Sequence, residues 1–221
     1  MRNLDGPRIE PRETPSALVV LLHGYGANGA DLIALGEAWQ PRLPGTVFVA
    51  PNAPDAIPGM HGGLQWFPLT MRDPNEYWRG VSGAQPMLDR FLDAELARYR
   101  LPPGRLVLAG FSQGCMLALH AGLRRAAAPA AIVGLSGLLA GPEHLANIKV
   151  RPPILLIHGE VDDLIPVDAL HIARAQLGNA GLLVEWHVRP GLGHGIDDVA
   201  QWLAANFIAA ALHGRQTPAE Q

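Results

Sequence analysis

The chain has 221 residues, 48% of them hydrophobic and 17% charged, which is enough apolar mass for a sizeable core and excludes wholesale disorder. A formal net charge of −3 argues against a nucleic-acid surface, which needs a basic excess. The single cysteine, Cys115, excludes an internal disulfide and a four-cysteine zinc site, and the only lysine, Lys149, follows no phosphate-loop motif. No run approaches the ~18 consecutive apolar residues of a membrane span. The opening stretch, MRNLDGPRIEPRETP, lacks the apolar core of a secretory signal. The expectation is a soluble, cytoplasmic protein with no nucleic-acid partner and no stable membrane insertion.

In chain order, the apolar run 17–22 closes on His23-Gly24, as a strand buried on both faces does. Similar runs follow at 46–50, 106–109, 131–135, 154–157 and 182–188. Helix-period segments lie between them. One is expected to start at the capping-box pattern Ser82-Gly83-Ala84-Gln85 and to place Met87, Leu88, Phe91, Leu92 and Leu96 on one side. Another follows Pro166, and the last covers 197–212 with Val199, Leu203 and Phe207 on its stripe. Alternating strands and helices predict an α/β fold, a mostly parallel sheet with helices on both faces. No linker or repeat divides the chain, so residues 1–221 read as one domain with a frayed tail at 213–221. Residues 51–81, about thirty positions without a clear period, read as a long loop, and connections of that length are commonly functional. Trp66, Phe67, Tyr77 and Trp78 concentrate there, so the stretch is either folded over the core or a wall of a substrate pocket.

Gly110-Phe111-Ser112-Gln113-Gly114 fits G-x-S-x-G between a strand and a helical run. The tight turn presses together the residues two places either side of the serine, and both are glycine. A serine hydroxyl needs a base, and His194, in Pro190-Gly191-Leu192-Gly193-His194-Gly195, follows the last strand, where sites of parallel sheets are built. The base in turn needs an orienting carboxylate. The loop His158-Gly159-Glu160-Val161-Asp162-Asp163 offers three. Gly24-Tyr25-Gly26-Ala27-Asn28-Gly29 reads two ways. It is G-x-G-x-x-G, the dinucleotide fingerprint, but the second strand ends without the ribose-binding acid. It is also an oxyanion loop, exposing the Tyr25 N–H to pair with that of Gln113. Cys115 is expected to pack inside the helix, Ser136 to sit in a turn, and Arg124-Arg125 to face a helix C-terminus. No histidine–carboxylate spacing suits a metal.

Taken together and in order, these segments resemble the phospholipase/carboxylesterase family of α/β-hydrolases, which includes bacterial carboxylesterases and acyl-protein thioesterases. Leu22-His23-Gly24-Tyr25-Gly26, Ala50-Pro51-Asn52-Ala53-Pro54, Gln65-Trp66-Phe67, the serine pentapeptide, His158-Gly159-Glu160-Val161-Asp162 and Gly193-His194 carry the likeness. The departures are Cys115, where relatives often carry glycine, and Tyr25, where leucine is frequent. The resemblance implies an α/β-hydrolase fold with no separate cap domain and hydrolysis of carboxylic esters, thioesters or lysophospholipids without cofactor or metal. It implies Ser112, Asp162 and His194 as catalytic residues, Tyr25 and Gln113 as oxyanion donors, and Trp66 and Phe67 in the substrate pocket. It selects Asp162 over Glu160 and Asp163, allows a homodimer, and names a small ester or thioester as the partner molecule. The alternatives are a catalytically silent binding protein of this fold and a dienelactone-hydrolase-like enzyme, whose cysteine nucleophile is serine here.

Overall fold

A computed structural model describes residues 4–70, 73 and 75–214. Its strands are β1 (Arg8–Ile9), β2 (Ala17–Leu22), β3 (Thr46–Val49), β4 (Asp55–Ala56), β5 (Leu64–Gln65), β6 (Leu106–Phe111), β7 (Ala131–Leu135), β8 (Ile154–Gly159) and β9 (Val184–Arg189). Its α-helices are α1 (Gly29–Trp39), α2 (Glu76–Tyr99), α3 (Gln113–Gly122), α4 (Asp168–Asn179) and α5 (Asp198–His213). Seven strands form one sheet in the order β1-β3-β2-β6-β7-β8-β9, while β4 and β5 pair as a separate short ribbon. Within the large sheet only β1 runs antiparallel to its neighbour.

The continuous apolar runs are explained by burial on both faces. Along β2, Leu18, Val20 and Leu22 enter one core cluster with residues of α2, α3 and α4. Val19 and Leu21 enter the other, with residues of α1 and α5. The expected α/β fold with helices on both faces of a mostly parallel sheet is therefore the fold observed. The carboxyl ends of the parallel strands point the same way, which brings the loops after β2, β6, β8 and β9 to one edge.

Three expectations change in detail. Helix α2 begins at Glu76 and not at Ser82, so the loop before it is shorter than expected. The apolar period does reach back: Tyr77, Val81, Ala84, Leu88 and Leu92 follow one face, and glycines at 80 and 83 hide it in the sequence. Gly80 is there for contact, since a Cβ on it would lie 2.2 Å from the Phe67 ring. On α5 the buried stripe is Ala200, Ala204, Ala205, Ile208 and Leu212, while Val199 is 43% exposed. Alanines let this helix lie close on the sheet, so the largest apolar side chains turn sideways. Arg125 is buried against Asp89 and Asp93 of α2, at 3.1 Å from the first and 2.5 Å from the second, and so ties the turn after α3 to α2. Cys115 packs as expected, 1% exposed, with burial pushing its thiol up to about 12. The expected frayed tail falls from residue 215 onward outside the described residues.

Candidate active site

Ser112 connects β6 to α3 with φ 54° and ψ −116°, a left-handed conformation that a non-glycine residue adopts only under constraint. The constraint is visible on both sides. A Cβ on Gly110 would fall 2.2 Å from the Gly114 carbonyl oxygen, and one on Gly114 would fall 2.0 Å from that of Leu22. The Ser112 N–H donates to the Leu135 carbonyl at 2.9 Å, tying the turn to β7. In the first turn of α3 the Cys115 and Met116 N–H groups donate to the Ser112 carbonyl at 3.0 and 3.2 Å.

His194 and the acidic loop are assembled as one unit. The Glu160 N–H donates to the Arg189 carbonyl at 2.9 Å and the Val161 N–H to that of Leu192 at 3.0 Å. The Glu160 carboxylate accepts the Gly191 N–H at 3.0 Å, so this acid holds the histidine loop from outside. Asp163 is exposed. Asp162, 6% exposed, is the acid that meets the imidazole: its Oδ2 lies 2.8 Å from His194 Nδ1. Its Oδ1 accepts the N–H groups of Leu164 at 3.0 Å and Ile165 at 2.9 Å. Burial pushes the Asp162 carboxyl up, but hydrogen bonds from Ile165, His194 and Leu164 outweigh it and hold the group below the usual carboxylate range. A carboxylate accepts only, so Nδ1 of His194 carries a hydrogen, and in the neutral ring Nε2 is the nitrogen with the free lone pair.

Ser112 and His194 open onto one cavity of about 420 Å³, together with Tyr25 and Gln113. The Tyr25 and Gln113 N–H groups donate to no acceptor among the described residues. Gly24 comes close to the serine, since a Cβ on it would lie 3.2 Å from Ser112 Cβ. The walls are Leu69, Tyr77, Phe111, Met116, Leu164 and Ile165, and no Asp, Glu, Lys or Arg lines the cavity among the described residues. The Phe111 ring supports His194 at a centroid distance of 4.9 Å.

Trp66 and Phe67 are placed differently from the expectation. They are 3% and 4% exposed and border a separate depression beside Glu76 and Gly80, while the neighbouring Leu69 and the first-turn Tyr77 take the cavity wall. The reason is hydrogen bonding. Trp66 Nε1 donates to the His23 carbonyl at 2.9 Å, and the Gln113 side chain bonds the backbone of both residues. Sequence reasoning also passed over His23 and His158, which are 0% and 2% exposed. Each stands in a His-Gly pair at the end of a strand whose residues are all buried, and that repetition was the available signal.

The sheet order, the turn that carries Ser112 and the loops that follow β8 and β9 are those of an α/β-hydrolase fold, and the class is that of the carboxylic ester and thioester hydrolases. The sequence profile described as phospholipase/carboxylesterase matches residues 6–212, and the chain belongs to that family. Among solved structures it is similar to esterase PE8, at 41% identity and a TM-score of 0.90 over 94% of this chain and 98% of the other. A phospholipase/carboxylesterase from Dyadobacter fermentans is 25% identical with a TM-score of 0.75, over 95% and 99% of the two chains. Acyl-protein thioesterase 1 of Schizosaccharomyces pombe is 31% identical over 169 residues, covering 72% of this chain and 74% of its own length.

Proposed function

We propose that the protein is a serine hydrolase that cleaves carboxylic esters and thioesters of uncharged, apolar acyl groups through an acyl-enzyme. One observation carries the reading: His194, paired with Asp162 at 2.8 Å, shares its cavity with a serine held in a left-handed turn. The Nε2 lone pair of His194 takes the Ser112 proton as Oγ attacks the acyl carbon. The carbonyl oxygen becomes an oxyanion, to which the Tyr25 and Gln113 N–H groups donate. His194, now an imidazolium stabilised by Asp162, returns the proton to the departing alkoxide or thiolate. Water then enters, loses a proton to His194, and attacks the acyl-enzyme by the same route, releasing the carboxylic acid and restoring Ser112. Among the described residues the wall is built of aliphatic and aromatic side chains without a formal charge, which favours an apolar acyl chain.

A fluorophosphonate probe tests this directly. The parent protein is expected to gain the mass of one adduct on Ser112, and Ser112→Ala to lose both the adduct and several orders of magnitude of p-nitrophenyl acetate turnover. An unlabelled parent, or a Ser112→Ala variant with parental turnover, overturns the reading. A panel of esters, thioesters and lysophospholipids of graded acyl length then ranks the substrates.

A further inference from the structure

His23 is wholly buried, and each of its ring nitrogens has one partner. Nε2 lies 3.0 Å from the Ala53 N–H, which can only donate, so Nε2 is the acceptor. The hydrogen must therefore sit on Nδ1, which donates to the Gly24 carbonyl at 2.8 Å. Burial favours this neutral ring by pushing its pKa down. The Gly24 carbonyl belongs to the same peptide unit as the Tyr25 N–H. In a trans peptide the two bonds point in opposite directions, and none of the described peptides is cis. Holding the oxygen on the buried side therefore turns the N–H to the other side.

The second donor is tied to the first. Trp66 Nε1 donates to the His23 carbonyl at 2.9 Å, and the His23 and Trp66 rings lie 5.3 Å apart. The Trp66 N–H donates to Gln113 Oε1 at 2.8 Å, and Gln113 Nε2 donates to the Phe67 carbonyl at 2.8 Å. Gln113 is itself 0% exposed. A continuous buried path of hydrogen bonds thus runs from the Gly24–Tyr25 peptide through His23 and Trp66 to the side chain of the residue whose backbone is the other donor.

We propose that His23, Trp66 and the Gln113 side chain form a brace that sets the spacing of the Tyr25 and Gln113 N–H groups, making all three positioning residues for transition-state stabilisation. The proposal rests on the serine hydrolase reading above. It assigns the Trp66-Phe67 pair a part in turnover that does not involve touching the substrate. The brace matters because two preset donors must meet an oxygen whose position changes as the carbonyl becomes tetrahedral. A misplacement on the order of 1 Å costs about 100-fold in rate.

Trp66→Phe and Gln113→Met test it. The first keeps a ring and removes one donor; the second keeps the chain length and removes both side-chain bonds. Each is expected to lower kcat about 10- to 100-fold with KM within about twofold of the parent. Each is also expected to weaken a trifluoromethyl ketone of the same acyl length by the same factor, because its serine adduct carries the oxyanion. Binding of the corresponding alcohol, which forms no adduct, stays at the parental value. Parental kcat in folded Trp66→Phe, or a loss confined to KM with unchanged ketone affinity, overturns the brace. If one variant fails to fold, the other decides by the same criteria. A parent without esterase activity or fluorophosphonate labelling defeats the hydrolase reading itself, whereas an active parent with indifferent variants defeats only the brace.

Discussion

Nε2 of His158 sits 3.2 Å from Oδ2 of Asp162, the same oxygen that His194 reaches from the loop after β9. It also lies 2.7 Å from the Ile165 carbonyl, so with two acceptors in front of it this nitrogen carries a hydrogen. Asp162 is thus held by the His194 imidazole and two backbone amides, with the His158 ring beside it, while Asp163 is exposed. Under the proposed mechanism Asp162→Asn loses about 10³–10⁴-fold in kcat, because an amide no longer enforces the His194 tautomer. Asp163→Asn stays within about twofold of the parent. Steady-state hydrolysis of one ester by the two variants checks this, and the opposite order moves the acid by one residue.

The cavity wall makes a second prediction. Glu76 accepts both the N–H and the hydroxyl of Thr70, at 2.9 and 2.7 Å, and so clamps the segment bearing Leu69 to the helix bearing Tyr77. Leu69→Trp is expected to narrow the space and shift the optimum across an ester series toward shorter acyl chains. Tyr77→Ala shifts it toward longer ones. Removing or adding contact for one methylene is worth about 1–3 kcal/mol, so neighbouring members of the series change by about tenfold or more. A profile that keeps its shape in both variants places the acyl chain elsewhere.

The turn carrying Ser112 is sensitive to a single methyl group. Gly114→Ala drives a Cβ into the Leu22 carbonyl, a backbone atom that cannot rotate away. The expected cost is about 1–3 kcal/mol of stability, several degrees of Tm in a domain of this size. Fluorophosphonate labelling falls with it, because the serine can keep its position only if β2 moves. Thermal unfolding and labelling rate, measured on the same sample, check both.

His120 makes stability depend on pH. It is 3% exposed on α3, its Nδ1 has no partner among the described residues, and Trp78 meets it edge-on at 5.0 Å. Burial, then Arg124, then His144 push its pKa from 6.5 down to about 3. Folding therefore keeps the ring neutral, and below pH 6.5 the unfolded chain takes up the proton first. The contribution is present above pH 6.5 and is lost progressively as pH falls toward 3. His120→Leu is expected to flatten the fall of Tm between pH 6.5 and pH 4, where parent and variant differ most in slope. Parallel curves would show that folding leaves the proton affinity of this ring unchanged.

Strands buried on both faces announced themselves as apolar runs, and the serine turn was legible because its two flanking glycines are imposed by contact. The histidine that would activate the serine stood out at a strand end, but the acid did not, since Glu160, Asp162 and Asp163 differ only in which way the loop turns them. The start of edge strand β9 was placed two residues early because the apolar Leu182 and Leu183 run into it, while none of its own six side chains is fully buried. The beginning of α2 was hidden by Gly80, which packs on Phe67, and by Gly83, which faces open space. Trp66 and Phe67 were expected in the substrate pocket, and composition carries no information about which neighbour takes their backbone bonds. His23 and His158 escaped for a related reason. Their value lies in the peptide groups they hold, and those become neighbours only after the sheet has formed.

The lone thiol has a practical consequence. Cys115 Sγ lies directly beneath the serine turn, so close to β7 and the segment after it that a Cβ on Gly134 or Gly137 would come within 2.7 and 2.5 Å of it. With its pKa at about 12 and almost no exposure, it is neither ionised nor reachable while the fold is closed. Alkylation must then wait for the α3–β7 contact to open, and the rate of adduct formation in native buffer becomes a clock for that opening. The protein carries its own reporter of how firmly the floor under Ser112 is held, in a chain with no other cysteine to confuse the reading.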